Sequence, residues 1–185
     1  WSDTVQLDYT KKKARDYAME ITKFWLEKGL NLRCDASHLL TRLEFKENWY
    51  QQMKWEEFSS LWPKEFWQEV SEYLSRQQPE KVLMMEAYGD TIYYLTRHIP
   101  RALVYQTDLL YRLAERNVGA IKKYLTQMPF EVMKRMVNYF QSHDTADAGP
   151  ALDIFTTDFQ KAAAIIDATI PGALMLHQRQ IKGAR

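Results

Sequence analysis

The stretch Arg101–Leu125, RALVYQTDLLYRLAERNVGAIKKYL, decides the fold that the sequence predicts. Apolar residues that recur every three or four positions line one side of an α-helix. In this stretch the recurring residues are Leu103, Leu110, Leu113, Ala114, Ile121 and Leu125. The spacing predicts one long amphipathic helix, with Asn117 and Gly119 as candidate breaks.

The six prolines extend this helical interpretation to the rest of the chain. They lie at positions 63, 79, 100, 129, 150 and 171, whereas strand-rich proteins need turn residues about every 8–12 residues. Proline is favoured at the first position of a helix, so each one is expected to begin a helix. The sequence therefore predicts an all-α fold of about seven to nine helices with no sheet. The expected organisation is one compact domain over residues 1–185, with a loop at about 144–150 before a C-terminal helical pair.

A local pattern follows four of the prolines, as in Pro100-x-x-Leu103-Val104 and Pro171-x-x-Leu174-Met175. It is interpreted either as a degenerate repeat of stacked helices or as the ordinary start of an amphipathic helix. The unequal spacing of the prolines favours the second interpretation, because stacked units need a constant period.

The first predicted helix has an apolar side that is expected to be buried. Its members are Ala14, Tyr17, Ala18, Ile21, Phe24 and Trp25, and charged residues occupy the opposite side. Amphipathic helices of this kind normally turn the apolar stripe toward a core.

Composition excludes several classes of protein. With 185 residues, of which 14% are aromatic, the chain is long enough for a core and unlike a disordered segment. The lone Cys34 forms no internal disulfide and favours a reducing, cytoplasmic location. No apolar run reaches about 18 residues, so no membrane span is predicted. A chain that begins at Trp1 without methionine is expected to be a processed protein or a segment of a longer one.

The common catalytic signatures are missing from the sequence. It contains no Gly-x-x-x-x-Gly-Lys phosphate loop, no His-Glu-x-x-His and no Gly-x-Ser-x-Gly. One cysteine rules out the paired-cysteine zinc sites. We therefore predict no catalytic residue, no metal and no cofactor, and an enzyme is less favoured than a binding protein.

The tryptophans suggest a surface for protein partners. All six lie within the first 67 residues, and Trp49, Trp55 and Trp62 cannot all share one helix face with their aromatic neighbours. Tryptophan is enriched at the energetic centres of protein interfaces. Two interpretations stay open, an aromatic-rich core and a partner groove anchored by these three residues.

The charges are unevenly distributed along the chain. Residues 44–90 carry a net charge of −5, whereas residues 91–143 carry +5. On the predicted long helix, five cationic residues fall opposite the leucine side: Arg101, Arg112, Arg116, Lys122 and Lys123. A cationic stripe attracts phosphate groups, although many such stripes are simply solvated.

The sequence thus supports two functional hypotheses. The first is a helical protein–protein interaction module, or a subunit of a larger assembly, without its own catalysis. Its expected partners are other protein subunits. The alternative is a nucleic-acid-binding protein that uses the cationic helix side, and an enzyme with unmarked residues is a third reading.

Overall fold

The computed structural model describes residues 5–144 and 157–181. Within them the chain forms two compact units. Unit 1 contains the chain up to Glu86 together with His98–Ala102. Unit 2 contains Ala87–Arg97 and the chain from Leu103 onward. The expectation of one domain over residues 1–185 stays a prediction.

Unit 1 combines helices with two short strands. Its elements are α1 (Lys12–Glu27), β1 (Leu32–Cys34), a 3-10 helix (Ser37–Leu40), α2 (Arg42–Trp49), α3 (Trp55–Leu61), α4 (Phe66–Gln77) and β2 (Leu83–Met85). The strands pair in parallel, with Leu32 opposite Leu83 and Cys34 opposite Met85. Parallel neighbours need a crossover connection, which α2, α3 and α4 supply here.

Aromatic side chains form much of the core of unit 1. Phe45, Phe58, Trp62 and Phe66 are almost completely buried. The Trp62 ring meets Phe45 edge-on at 5.3 Å and stacks on Tyr9 at 6.0 Å between ring centroids. Ring contacts of this geometry add to the stability that burial alone provides. The tight cluster explains why residues 45–66 contain so many aromatic residues.

Unit 2 is built around three parallel strands. Its elements are α5 (Asp90–His98), β3 (Ala102–Tyr105), α6 (Thr107–Ala114), α7 (Val118–Gln127), α8 (Phe130–Met133), β4 (Met136–Asn138), α9 (Thr157–Thr169), β5 (Ala173–Leu174) and α10 (Gln178–Ile181). The last residue of α5, His98, and the first residue of β3, Ala102, are assigned to unit 1. Strand β4 pairs with β3 through Val104 and Met136, and with β5 through Asn138 and Leu174.

One glycine is required where the chain enters β5. Gly172 has a φ of +126°, a conformation that side chains rarely tolerate. A Cβ atom there would lie 2.7 Å from the Met136 carbonyl oxygen. Only glycine lets the backbone pass this close to the end of α8 and the start of β4.

The prediction of an all-α fold without a sheet is wrong, because the described residues form five parallel strands and have an α/β character. The strands are two to four residues long, and β2, β3 and β4 are almost entirely buried. Strands buried on both faces are continuous apolar runs, so they lack the alternation that identifies a strand in sequence. Three of the prolines, at positions 79, 100 and 171, lead into strands rather than helices.

The stretch Arg101–Leu125 is not one helix. It contains β3, α6 and α7, and Arg116 between the two helices has a left-handed φ of +55°. Asn117, a predicted break, caps α7 by accepting a hydrogen bond from the Ala120 N–H at 3.0 Å. The five predicted cationic residues therefore do not share a single helix side.

The first helix forms where it was expected, but its apolar side is not buried. Leu26 is the buried residue of α1, while Tyr17, Ile21, Phe24 and Trp25 are exposed. At the other end of the chain, the predicted loop at 144–150 lies, apart from Asp144, outside the described residues. The last helix of the predicted C-terminal pair, expected to begin at Pro171, is instead β5 followed by α10.

Among the described residues, no helix combines the length and the apolar character that a bilayer crossing requires.

Candidate anion-binding site

Unit 2 contains a polar pocket of about 630 Å³ beside α5 and α7. We call it the cationic pocket. Its main lining residues are Tyr93, Arg97, Arg112, Lys123, Tyr124 and Gln127. In the part of the chain that the structure describes, no aspartate or glutamate lines it.

The helices bring these side chains together through their regular spacing. Tyr93 and Arg97 are four residues apart on α5, and Lys123 and Gln127 are four residues apart on α7. Residues at this spacing point to the same side of a helix. Other residues of the two helices are buried in the core: Ile92 and Leu95 on α5, and Ile121 on α7. The apolar pattern thus fixes which polar residues face the pocket.

Arg112 is held in place by its own helix and by an aromatic ring. Its guanidinium carbon lies 4.5 Å from the centroid of the Tyr124 ring, at the distance of a cation–π contact. Its Nη1 donates a hydrogen bond to the Asp108 carbonyl oxygen at 2.9 Å. A guanidinium has five N–H donors, so others remain for a ligand.

Positive charge in the pocket is only partly offset. The Asp108 carboxylate is 4.0 Å from Arg112 Nη1, the limit for an ion pair. Burial raises the pKa of Asp108 and Asp90 raises it further, whereas Arg112 opposes the rise. The ion pair is therefore too loose to occupy the arginine. Among the described residues, Arg97 and Lys123 make no ion pair.

Tyr124 adds a buried hydrogen-bond donor to the pocket. The residue is 8% exposed, and within the described chain no group meets the geometry of a hydrogen bond with its hydroxyl, although the Tyr93 hydroxyl is close enough to interact with it. Burial raises the pKa of the phenol, and the nearby Tyr93 and Asp108 raise it further. The hydroxyl therefore stays protonated at physiological pH. A buried donor without an acceptor is costly, and a bound acceptor would remove that cost.

The structure brings two of the five predicted cationic residues into this pocket, Arg112 and Lys123. Arg101 lies in unit 1, where its backbone N–H donates to Ser71 Oγ at 3.2 Å. Arg116 places its guanidinium 5.0 Å from the Phe159 ring centroid. Lys122 is exposed on α7 and does not line the pocket.

Sequence reasoning missed Tyr93, Arg97 and Tyr124. Tyr93 and Arg97 carried one usable signal, since they are four residues apart in a segment with helical periodicity. Their proximity to Arg112 and Lys123 depends on how α5 packs in unit 2, which no local pattern reveals.

The three tryptophans predicted as partner anchors have different environments in unit 1. Trp49 is 40% exposed and lines a pocket of about 570 Å³, while Trp55 is 42% exposed. The Trp55 ring stacks on Phe58 at 5.5 Å, and the Arg42 guanidinium lies 5.4 Å from it. Trp62 is fully buried, so it packs in the core and not at a surface that a partner reaches.

Cys34 is a poor nucleophile in this structure. Burial raises the pKa of its thiol to about 12, although Arg33 opposes the rise. The thiolate is the reactive form, so the side chain is inert near neutral pH.

The sequence matches no protein-family model, and neither a curated protein nor a solved structure is significantly similar to it. Function is therefore inferred from the residues of this chain and their geometry.

Proposed function

We propose that this protein binds a phosphate-bearing anion in the cationic pocket of unit 2. One observation carries the proposal: Arg97, Arg112 and Lys123 converge with the buried hydroxyl of Tyr124, and no carboxylate of the described residues lines the pocket. The proposal keeps two of the five cationic residues of the nucleic-acid-binding alternative, Arg112 and Lys123, and adds Arg97 and Tyr124.

The donor set fits a phosphate group. A phosphate monoester carries nearly two negative charges and several acceptor oxygens, which match three cations partly offset by Asp108. Arginine binds such oxygens with two parallel N–H groups, and lysine contributes a point charge. A volume of about 630 Å³ lies within the range of small-ligand sites, so the pocket has room for more than the phosphate alone.

The test is calorimetric titration of the whole chain at low salt with three probes. These are inorganic phosphate, adenosine 5′-monophosphate and a 12-nucleotide single-stranded RNA. We expect phosphate and the monophosphate to bind. The Lys123→Ala variant should weaken binding about tenfold or more, because a charge-assisted hydrogen bond contributes about 1.5–3 kcal/mol.

Lys122→Ala is the matched control. The two lysines are neighbours on α7 and both are exposed, but Lys123 alone of the two lines the pocket. The control should change affinity less than twofold. If only the RNA binds and both variants weaken it equally, the ligand is a polymer on a diffuse surface and the pocket proposal fails. Absence of binding to all three probes also rejects it.

A second candidate function is docking of a protein partner on unit 1. The specific observation is the exposure of Trp49 and Trp55, since large aromatic side chains at a surface are frequent interface anchors. Proteins that copurify with the wild-type chain should be lost in the Trp49→Ala and Trp55→Ala variants. They should be retained in Leu61→Ala, which truncates a comparably exposed residue of α3. Retention in the tryptophan variants would remove this candidate.

A further inference from the structure

Helix α1 presents a row of large apolar side chains to solvent. Tyr17, Ile21, Phe24 and Trp25 are between 42% and 58% exposed. Contiguous apolar patches are uncommon on monomers and usually mark interaction sites. The row is therefore a candidate interaction surface.

The spacing of the row is that of a helix-pairing seam. Ala14, Tyr17, Ile21, Phe24 and Lys28 follow one another at alternating intervals of three and four residues. This is the heptad pattern by which one helix packs along another. Lys28, the last residue of this spacing, is charged and contacts its own helix, since its Nζ lies 5.4 Å from the centroid of the Phe24 ring. The seam thus runs from Ala14 to Phe24.

Charges along one edge of the seam indicate the partner and its direction. Lys13, Glu20 and Glu27 are seven residues apart, so they lie on the same edge of α1. When two copies of α1 run antiparallel, Lys13 of each copy faces Glu27 of the other. In a parallel pair the same edge would face Ala18 and Trp25, and no attraction between opposite charges would form. Complementary charge therefore favours an antiparallel copy.

The charged groups are accessible for this pairing. Lys13 is exposed and, among the described residues, makes no ion pair. Glu27 is exposed and, within the described ranges, accepts one hydrogen bond, from the Tyr73 hydroxyl to Oε1 at 3.1 Å, which leaves its second oxygen open. In the antiparallel pair, Glu20 of one copy would face Glu20 of the other at the centre of the seam. That single contact is repulsive.

We propose that α1 pairs antiparallel with α1 of a second copy of this chain, with Tyr17 packing on the partner's Ile21 and Phe24 on the partner's Ala14. The pairing is independent of the cationic pocket in unit 2. The seam is short, so a weak dimer with a dissociation constant on the order of micromolar is expected.

Sedimentation equilibrium of the whole chain from 1 to 500 µM tests the proposal. Wild type should show a monomer–dimer equilibrium. Phe24→Ala should weaken it at least tenfold, because two-fold symmetry makes one substitution truncate both outer apolar contacts of the seam, Phe24 of each copy on Ala14 of the other. Leu43→Ala, which truncates an exposed residue of α2, is the matched control and should leave the dissociation constant unchanged.

Charge exchange tests the antiparallel direction. Lys13→Glu and Glu27→Lys should each weaken the dimer about threefold to tenfold, because symmetry turns two attractions into two repulsions. The double variant Lys13→Glu, Glu27→Lys should recover the wild-type constant within about twofold. Circular dichroism establishes that each variant is folded. A wild-type chain that stays monomeric at 500 µM, or a double variant weaker than either single one, would overturn the proposal.

Discussion

Helices α1 and α9 depart from the usual distribution of side chains in opposite directions. Helix α1 leaves four large apolar side chains in solvent, whereas α9 buries the Asp167 carboxyl to 1% exposure. Neither carboxyl oxygen of Asp167, Oδ1 or Oδ2, has a hydrogen-bond partner among the described residues. Apolar side chains are usually buried and charged side chains usually exposed, so an exposed apolar patch or a buried carboxyl is informative. The exposed row is the basis of the proposed pairing of α1, and burial of the Asp167 carboxyl favours its protonated form.

The largest expected effect is the difference in unfolding free energy between truncations on the buried and on the exposed side of α1. Leu26→Ala removes a buried side chain and should lower the free energy of unfolding by about 2–5 kcal/mol. Phe24→Ala truncates an exposed residue and should cost less than about 0.5 kcal/mol. Urea unfolding at a concentration where the chain is monomeric measures both. Equal losses would show that the apolar side of α1 is covered within its own chain.

The buried carboxyl of α9 should make stability depend on pH. Burial raises the pKa of Asp167 to about 7 in the folded protein, whereas an unfolded chain has the ordinary value near 3.9. The folded state therefore binds more protons, and its stability should fall as pH rises from about 4 to 7. The expected loss is about 2–4 kcal/mol, since each pKa unit corresponds to 1.36 kcal/mol.

Asp167→Asn should remove this loss and be the more stable protein at pH 8. Asp158→Asn is the control, because Asp158 lies on the same helix but is exposed. Urea unfolding from pH 4 to 8 follows both variants. A wild-type stability that rises over this interval, with the rise abolished in Asp167→Asn, would show that the carboxyl is ionised and stabilised in the folded protein.

The smallest expected effect belongs to the centre of the α1 seam. Glu20→Gln should tighten self-association about twofold to threefold, because it removes the only like-charge contact of the antiparallel pair. Sedimentation equilibrium at low salt measures the change. A weaker dimer in this variant would place Glu20 opposite a cation, which requires a different register.

The sequence predicts helices better than it predicts their surroundings. It located α1. The apolar spacing after Pro63 likewise predicts α4 with Phe66, Trp67, Val70, Tyr73 and Leu74 turned inward, and all of these except Tyr73 are buried. The same reasoning failed to predict the environment of α1. An amphipathic stripe identifies the apolar side of a helix, but it does not show that this side packs in the core of its own chain. The strands were missed because runs such as Leu83–Met85 are short and apolar throughout, without periodicity.

The candidate site was predicted in part and for an incorrect geometric reason. Arg112 and Lys123 were selected as members of one helix side, yet they lie on two helices joined by a left-handed Arg116. Tyr93, Arg97 and Tyr124 complete the pocket through tertiary packing. Such contacts depend on strand pairing, which was itself absent from the sequence prediction.

Anion binding in unit 2 is tested most directly by nuclear magnetic resonance of the arginine side chains. The Nε–H signals of the whole chain are followed while inorganic phosphate is added at constant ionic strength. We predict saturable shifts for Arg97 and Arg112 and none for Arg116, which is held against Phe159. Equal, unsaturated shifts of all arginines, or no shift of Arg97 and Arg112, would contradict the proposed site.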